Sequence, residues 1–176
     1  IQKRAKNKVN VKYLKPHGST NWGYSANCGR LYISYGKRIE KTFECVRFCN
    51  PIYKKVALSP VLITPTFLKD ISNNHIAGIW ENVGIELSEA TKVIFIGYSL
   101  RPEDYYFRFM LSKYIAQKTE IYVFDYVDKS LSSAERDKTK DQIKNKFSQF
   151  LQKCVIKEVF KDGWETSINE LEQLLP

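Results

Sequence analysis

Acidic residues are missing from the first 39 positions of this 176-residue chain, which hold nine lysines and arginines: Lys3, Arg4, Lys6, Lys8, Lys12, Lys15, Arg30, Lys37 and Arg38. From Glu40 onward positive and negative charges balance, so the whole net charge of +9 sits at one end. Such a field favours an anionic partner: a dinucleotide, a nucleic acid or an acidic protein surface. Cysteine is scarce, at four residues, Cys28, Cys45, Cys49 and Cys154. That is too few for a disulfide framework in a chain of this size, and a reducing cytoplasm is the expected compartment. No apolar run approaches the roughly 20 residues that span a bilayer, so no membrane partner is expected. The basic start is not followed by the apolar stretch of a signal peptide. The first residue is Ile1 rather than Met, as expected of a chain that has been processed, trimmed or cut from something longer. A G-x-G-x-x-G phosphate loop is also missing.

What is present is a globular composition, 43% hydrophobic and 14% aromatic, enough for one domain with a core. Val9, Val11, Tyr13 and Leu14 read as a short strand stopped by Pro16 and Gly18. Residues 19–60, with Trp22, Tyr24, Tyr32, Tyr35, Phe43, Phe48 and Tyr53, read as a small irregular excursion module with short β-like runs near 31–35 and 42–48. Val61, Leu62 and Ile63 give another short strand. Ile76, Ile79, Trp80, Val83 and Leu87 then fall on one helical face, with Asn73 or Asn74 as cap. Lys92 to Gly97 is the continuous apolar run expected of a strand inside a parallel sheet. A helix over 102–116 follows, with Pro102 in its first turn. Next come a strand over Glu120 to Asp125, a charged helix over 133–153 with Ile143, Phe147, Phe150 and Leu151 inward, a strand over 154–160, and a closing helix through Ile168, Leu171, Leu174 and Leu175. The alternation from residue 61 predicts an α/β fold, a Rossmann-like three-layer domain with a mostly parallel sheet.

Ligands on such sheets sit at the carboxyl ends of the strands. Three segments are expected there. His17 leaves the first strand into a glycine turn, and histidine is the natural general base near neutral pH. Its alternative is a structural histidine bonded within its own turn. Gly97-Tyr98-Ser99-Leu100 offers a glycine for close approach and a hydroxyl just before a helix N-terminus, where unpaired N–H groups favour a phosphate. Asp125 ends the next strand, where it takes either the hydroxyls of a ribose or its own turn.

Taken together, these segments resemble the sirtuins. His17-Gly18-Ser19 is similar to the H-G-S motif that carries the family's catalytic base, and Gly97-Tyr98-Ser99-Leu100 is similar to its G-T-S-L motif. The closer likeness is to the sirtuin-like branch of bacterial defence proteins, with motifs of the form K-L-H-G-S-x-N-W and I-G-Y-S-L followed by Pro and Asp. Here those read Lys15-Pro16-His17-Gly18-Ser19-Thr20-Asn21-Trp22 and Ile96-Gly97-Tyr98-Ser99-Leu100-Arg101-Pro102-Glu103-Asp104. Between them Pro65-Thr66-Phe67-Leu68-Lys69 and Ile79-Trp80 match two further landmarks, so the likeness covers residues 9 to 130.

The resemblance implies an NAD-binding domain of which residues 1–176 are the C-terminal part. The family's G-A-G-x-S loop and T-Q-N-x-D motif are not found and are expected upstream of Ile1. It implies NAD as substrate, His17 as catalytic base, and Gly97, Ser99 and Asp125 as the cofactor-binding residues. The zinc module of protein deacetylases needs two C-x-x-C pairs; Cys45 and Cys49 are separated by three residues, so no zinc is expected. The F-G-E peptide-binding segment is replaced by Val61-Leu62-Ile63-Thr64-Pro65, which argues against deacylation. The implied activity is NAD hydrolysis to nicotinamide and ADP-ribose in the full-length protein, as an anti-phage effector with a sensor domain or a homo-oligomer as partner. The isolated fragment is expected to be inactive. The alternatives are a non-catalytic nucleotide-binding or regulatory domain, and a nucleic-acid-binding module using the basic first 39 residues and their aromatics.

Overall fold

Short strands fold here into antiparallel and parallel sheets. The computed structural model describes residues 11–35, 44–45, 56–63 and 73–175. The basic residues Lys3, Arg4, Lys6, Lys8, Lys37 and Arg38, the residues Val9, Phe43, Phe48, Cys49 and Tyr53, and the segment Thr64 to Lys69 lie outside the described residues. The chain divides into two units, one ending at Val83 and one continuing from Gly84.

The first unit is built on an antiparallel sheet in the order β2-β1-β5, from β1 (Gly18–Ser25), β2 (Arg30–Ile33) and β5 (Ser59–Leu62). A separate two-residue pair joins β3 (Glu44–Cys45) to β4 (Val56–Ala57). Within residues 19–60, the described residues 19–35, 44–45 and 56–60 hold these short strands. The turn at Gly29, with φ +67, returns β1 into β2 in the register Ser25 to Arg30 through Trp22 to Ile33. β5 pairs antiparallel with β1, which corrects the expectation that Val61 to Ile63 opens a parallel alternation. The residues Val11 to Leu14 form no strand; Val11 and Tyr13 are exposed and have no described neighbour strand.

Helix α1 (Asn74–Glu89) is shared between the units. It starts where expected, since the Asn73 side-chain oxygen accepts the N–H groups of His75 at 3.0 Å and Ile76 at 3.4 Å. It buries Ile76, Trp80 and Val83.

The second unit is α/β. A parallel sheet in the order β6-β7-β8 comprises β6 (Lys92–Ile96), β7 (Glu120–Phe124) and β8 (Val155–Phe160). Helix α2 (Tyr105–Tyr114) connects the first two strands, α3 (Ser133–Phe150) the last two, and α4 (Ile168–Leu174) follows. The register puts Phe95, Val123 and Val159 side by side on one face. With Ile121 they pack against Leu111 and Ile115 from α2 and its C-terminal end, and against Phe147 and Leu151 from α3 and its cap. Ile143 and Phe150 border the same cluster, as the helical period predicts.

The interior strand is β7, whose Ile121, Val123 and Phe124 are almost inaccessible. Among the described residues β6 lies at the sheet edge, and Ile96 is 45% exposed. The expectation of β6 as interior strand is thereby corrected. An apolar run states that a strand can be buried on both faces; pairing order decides which strand is.

Helix α3 carries a full capping box. Ser132 accepts from the Glu135 N–H at 3.4 Å, and the Glu135 carboxylate accepts from the Ser132 N–H at 3.0 Å and hydroxyl at 2.7 Å. These bonds hold the Glu135 carboxyl below its ordinary range. A depressed carboxylate contributes stability at neutral pH that is lost as pH falls through its folded value. Ser132→Ala should lower the unfolding free energy by about 1 kcal/mol, measured by urea denaturation at pH 7. An unchanged midpoint would show that the cap is not formed in solution.

Candidate functional site

Each sequence-predicted residue is placed within its own unit, His17 in the first and Gly97, Ser99 and Asp125 in the second.

In the second unit the parallel strands end on one line. The Gly97 N–H donates to the Phe124 carbonyl at 3.0 Å, and the Asp125 N–H donates to the Phe160 carbonyl at 3.0 Å. Gly97 and Asp125 are thus brought together at adjacent strand ends, as the sequence predicts. Beyond Gly97 the loop alternates outward and inward. Gly97 and Ser99 are exposed, whereas Tyr98 is half-buried and Leu100 is 1% exposed. Gly97 has φ +63 and no heavy atom within 4 Å of where a Cβ would stand, so the glycine answers a backbone requirement and leaves open space above it. Leu100 also has a left-handed φ, 51°, which a side chain other than glycine's disfavours by about 1–2 kcal/mol. Burial of Leu100 in the core cluster offsets that strain.

Tyr98 stacks on Phe95 and meets Phe107 edge-on. Its hydroxyl lies 3.5 Å from the carboxylate of Asp104, a long hydrogen bond. Burial, followed by the Asp104 charge, pushes the phenol well above its ordinary value, so it remains a donor. Asp104 is itself 7% exposed and begins α2. These contacts give a physical reason for the spacing between Tyr98 and Asp104: the two close the loop from inside.

Helix α2 starts at Tyr105, after a turn in which the Asp104 N–H donates to the Arg101 carbonyl. Ser99 is therefore six residues from the helix, not at its N-terminus, and Pro102 lies in the preceding turn. This corrects the expectation of a helix-terminal phosphate cradle at Ser99. Sequence reasoning missed Lys146 of α3, whose ammonium donates to the Ser99 carbonyl. Nothing in the local pattern around Lys146 distinguishes it from the other lysines of that helix.

Asp125 is half-buried, and one of its oxygens accepts the Tyr126 N–H at 2.9 Å. Its carbonyl accepts the Gly163 N–H at 2.9 Å, tying the β7 end to the β8 end. One carboxylate oxygen thus bonds within its own turn. A groove of about 400 Å³, lined by Glu89, Thr91, Lys92, Ile94, Leu174 and Leu175, lies at the opposite, amino end of β6 and shares no residue with this site.

In the first unit His17 precedes β1 instead of ending a strand, which corrects its expected setting. The Gly18 N–H donates to the Lys15 carbonyl at 2.9 Å, and the His17 carbonyl accepts the Ile63 N–H at 2.9 Å. His17 is half-buried, with its ring edge-on to Trp80 at 6.1 Å. The Trp80 indole donates to the Pro16 carbonyl at 2.8 Å, so α1 holds the turn from which His17 projects. The polar residues of the segment form a chain. Lys15 donates to Ser19 at 3.0 Å, Ser19 to the Asn21 side-chain oxygen at 2.6 Å, and the Asn21 amide to the Ser34 carbonyl at 2.8 Å. Ser19 and Asn21 thereby brace the turn and the β-bulge between Ser19 and Gly23. The second histidine, His75, lies 3.0 Å from the Gly29 carbonyl and edge-on to Tyr24, a structural setting.

Among the described residues no group of three or more His, Cys, Asp and Glu side chains is placed to hold a metal, and no helix is long and apolar enough to cross a membrane. Comparison with protein-family models, curated proteins and solved structures found no match.

Proposed function

We propose that the full-length protein hydrolyses NAD to nicotinamide and ADP-ribose. The carrying observation is the strand-end loop of the second unit. Gly97 and Ser99 face outward, Tyr98 and Leu100 are anchored inward, and Asp125 stands at the next strand end. A pre-set, small-residue loop beside an acidic residue at parallel strand ends suits a dinucleotide, whose phosphates approach backbone and whose ribose takes a carboxylate. The exposed Lys146 adds a cation beside the Ser99 carbonyl. The sheet is read as part of a Rossmann-like three-layer domain, and the compartment as the cytoplasm. The resemblance of the H-G-S and G-Y-S-L segments to the sirtuin-like defence branch supplies the reaction, and His17 is the proposed base. The biological role that goes with it is NAD depletion on triggering by a sensor domain.

The direct test is release of nicotinamide from NAD by purified full-length protein. NAD binding without release would favour the non-catalytic nucleotide-binding reading, and salt-dependent nucleic-acid binding without release the third. Ser99→Ala removes one hydroxyl contact and no proton-transfer group. It should raise KM for NAD by about 5- to 20-fold, as expected for one lost hydrogen bond, and leave kcat close to wild type. A drop in kcat at unchanged KM would remove Ser99 from ground-state binding.

A further inference from the structure

We propose that Cys28 and Cys45 are an oxidative-modification site that closes to a disulfide on reaction with a hydroperoxide. Both are present as thiols, and their sulfurs lie 3.7 Å apart although the residues are 17 apart in sequence. Cys28 sits in the turn between β1 and β2, and Cys45 ends β3. A disulfide draws two sulfurs to about 2.05 Å, so closure requires an approach of less than two ångströms.

The two thiols differ in access. Cys28 is half-buried, whereas Cys45 is 3% exposed. Cys28 is therefore the one that meets the oxidant, and Cys45 the one that resolves it. Tyr32, on β2, places its hydroxyl 2.7 Å from the Cys45 sulfur. That bond is the largest cause of the phenol's strongly raised pKa, so the hydroxyl keeps its proton beside the sulfur.

The chemistry balances in two steps. The Cys28 thiolate attacks one oxygen of hydrogen peroxide, the O–O bond breaks, and sulfur is oxidised to a sulfenic acid while the other oxygen leaves as water after protonation. The Cys45 thiolate then attacks the Cys28 sulfur, the S–O bond breaks, and a second water leaves. Two thiols and one peroxide give one disulfide and two waters. The product ties the β1–β2 turn to β3 within the first unit. Cys154 is the internal control: its thiol contacts the Ala116 carbonyl at 3.8 Å, and burial pushes its pKa up, which slows oxidation.

The experiment treats the reduced full chain with hydrogen peroxide under native conditions, alkylates the remaining thiols and maps peptides by mass spectrometry. The expected result is a peptide linking Cys28 to Cys45, reversed by dithiothreitol, with Cys154 still alkylated. In Cys45→Ser, where resolution is blocked, dimedone should trap a sulfenic acid on Cys28. Alkylation of both Cys28 and Cys45 after Cys154 has been oxidised would overturn the proposal. So would a linkage of either to Cys49, or about one zinc per chain shielding both thiols in the reduced protein.

Discussion

Replacement of His17 by alanine in the full-length protein is expected to reduce nicotinamide release from NAD by about a hundredfold to ten-thousandfold, the usual worth of a general base. The imidazole would take a proton from water, or from a ribose hydroxyl, as the anomeric carbon loses nicotinamide. The scaffold should survive the change. The contacts that fix the turn are made by backbone and by neighbours: Gly18 to Lys15, Ile63 to the His17 carbonyl, and Trp80 to the Pro16 carbonyl. The ring contributes an edge-on contact to Trp80. Its removal should cost about 1 kcal/mol, visible as a small shift in melting temperature. Wild-type turnover by His17→Ala would remove His17 from the chemistry and leave the strand-end loop as a nucleotide-binding feature only. Lost turnover together with a large loss of stability would make His17 structural.

Gly18→Ala is expected to damage the first unit more than the histidine change does. Gly18 has φ +74, and an added Cβ would stand 2.1 Å from the Val61 carbonyl oxygen, on backbone that cannot swing aside. The left-handed conformation alone costs an alanine about 1–2 kcal/mol, and relief of the overlap must also part β1 from β5 where Gly18 pairs with Leu62. A loss above about 2 kcal/mol follows, measured by chemical denaturation, with the His17 turn displaced and NAD cleavage falling alongside. A Gly18→Ala protein of wild-type stability would mean that this close β1–β5 approach does not exist in solution. The pair of variants separates the two residues of one motif: the proposed proton-transfer role of the histidine and the backbone role of the glycine.

Much of the second unit was legible in the sequence because its signals are local. The apolar run at 120–124 and the helical face at 143–151 state which residues turn inward, and the structure buries Ile121, Val123, Phe124, Phe147 and Leu151 accordingly. In the first unit the cap at Asn73 was legible for the same reason, since side chain and backbone are neighbours by covalent connection within a single turn of chain. The adjacency of Gly97 and Asp125 also followed, because both end strands of one parallel sheet.

Tertiary structure alone decided the rest. Periodicity reports burial but not pairing partners. The apolar run of β6 gave no sign that β7 would be central, and Val61 to Leu62 gave none that β5 would run antiparallel to β1. Val11 to Leu14 has strand-like residues with no described strand beside it, so His17 precedes a strand where local pattern placed it at an end. The turn at 101–104 separates Ser99 from α2, Lys146 reaches a carbonyl 47 residues away, and Cys28 of the β1–β2 turn meets Cys45 of β3. Each of these depends on hydrogen bonds or contacts between segments distant in the chain. Such partners are selected by the free energy of the whole fold, and no window of neighbouring residues contains them.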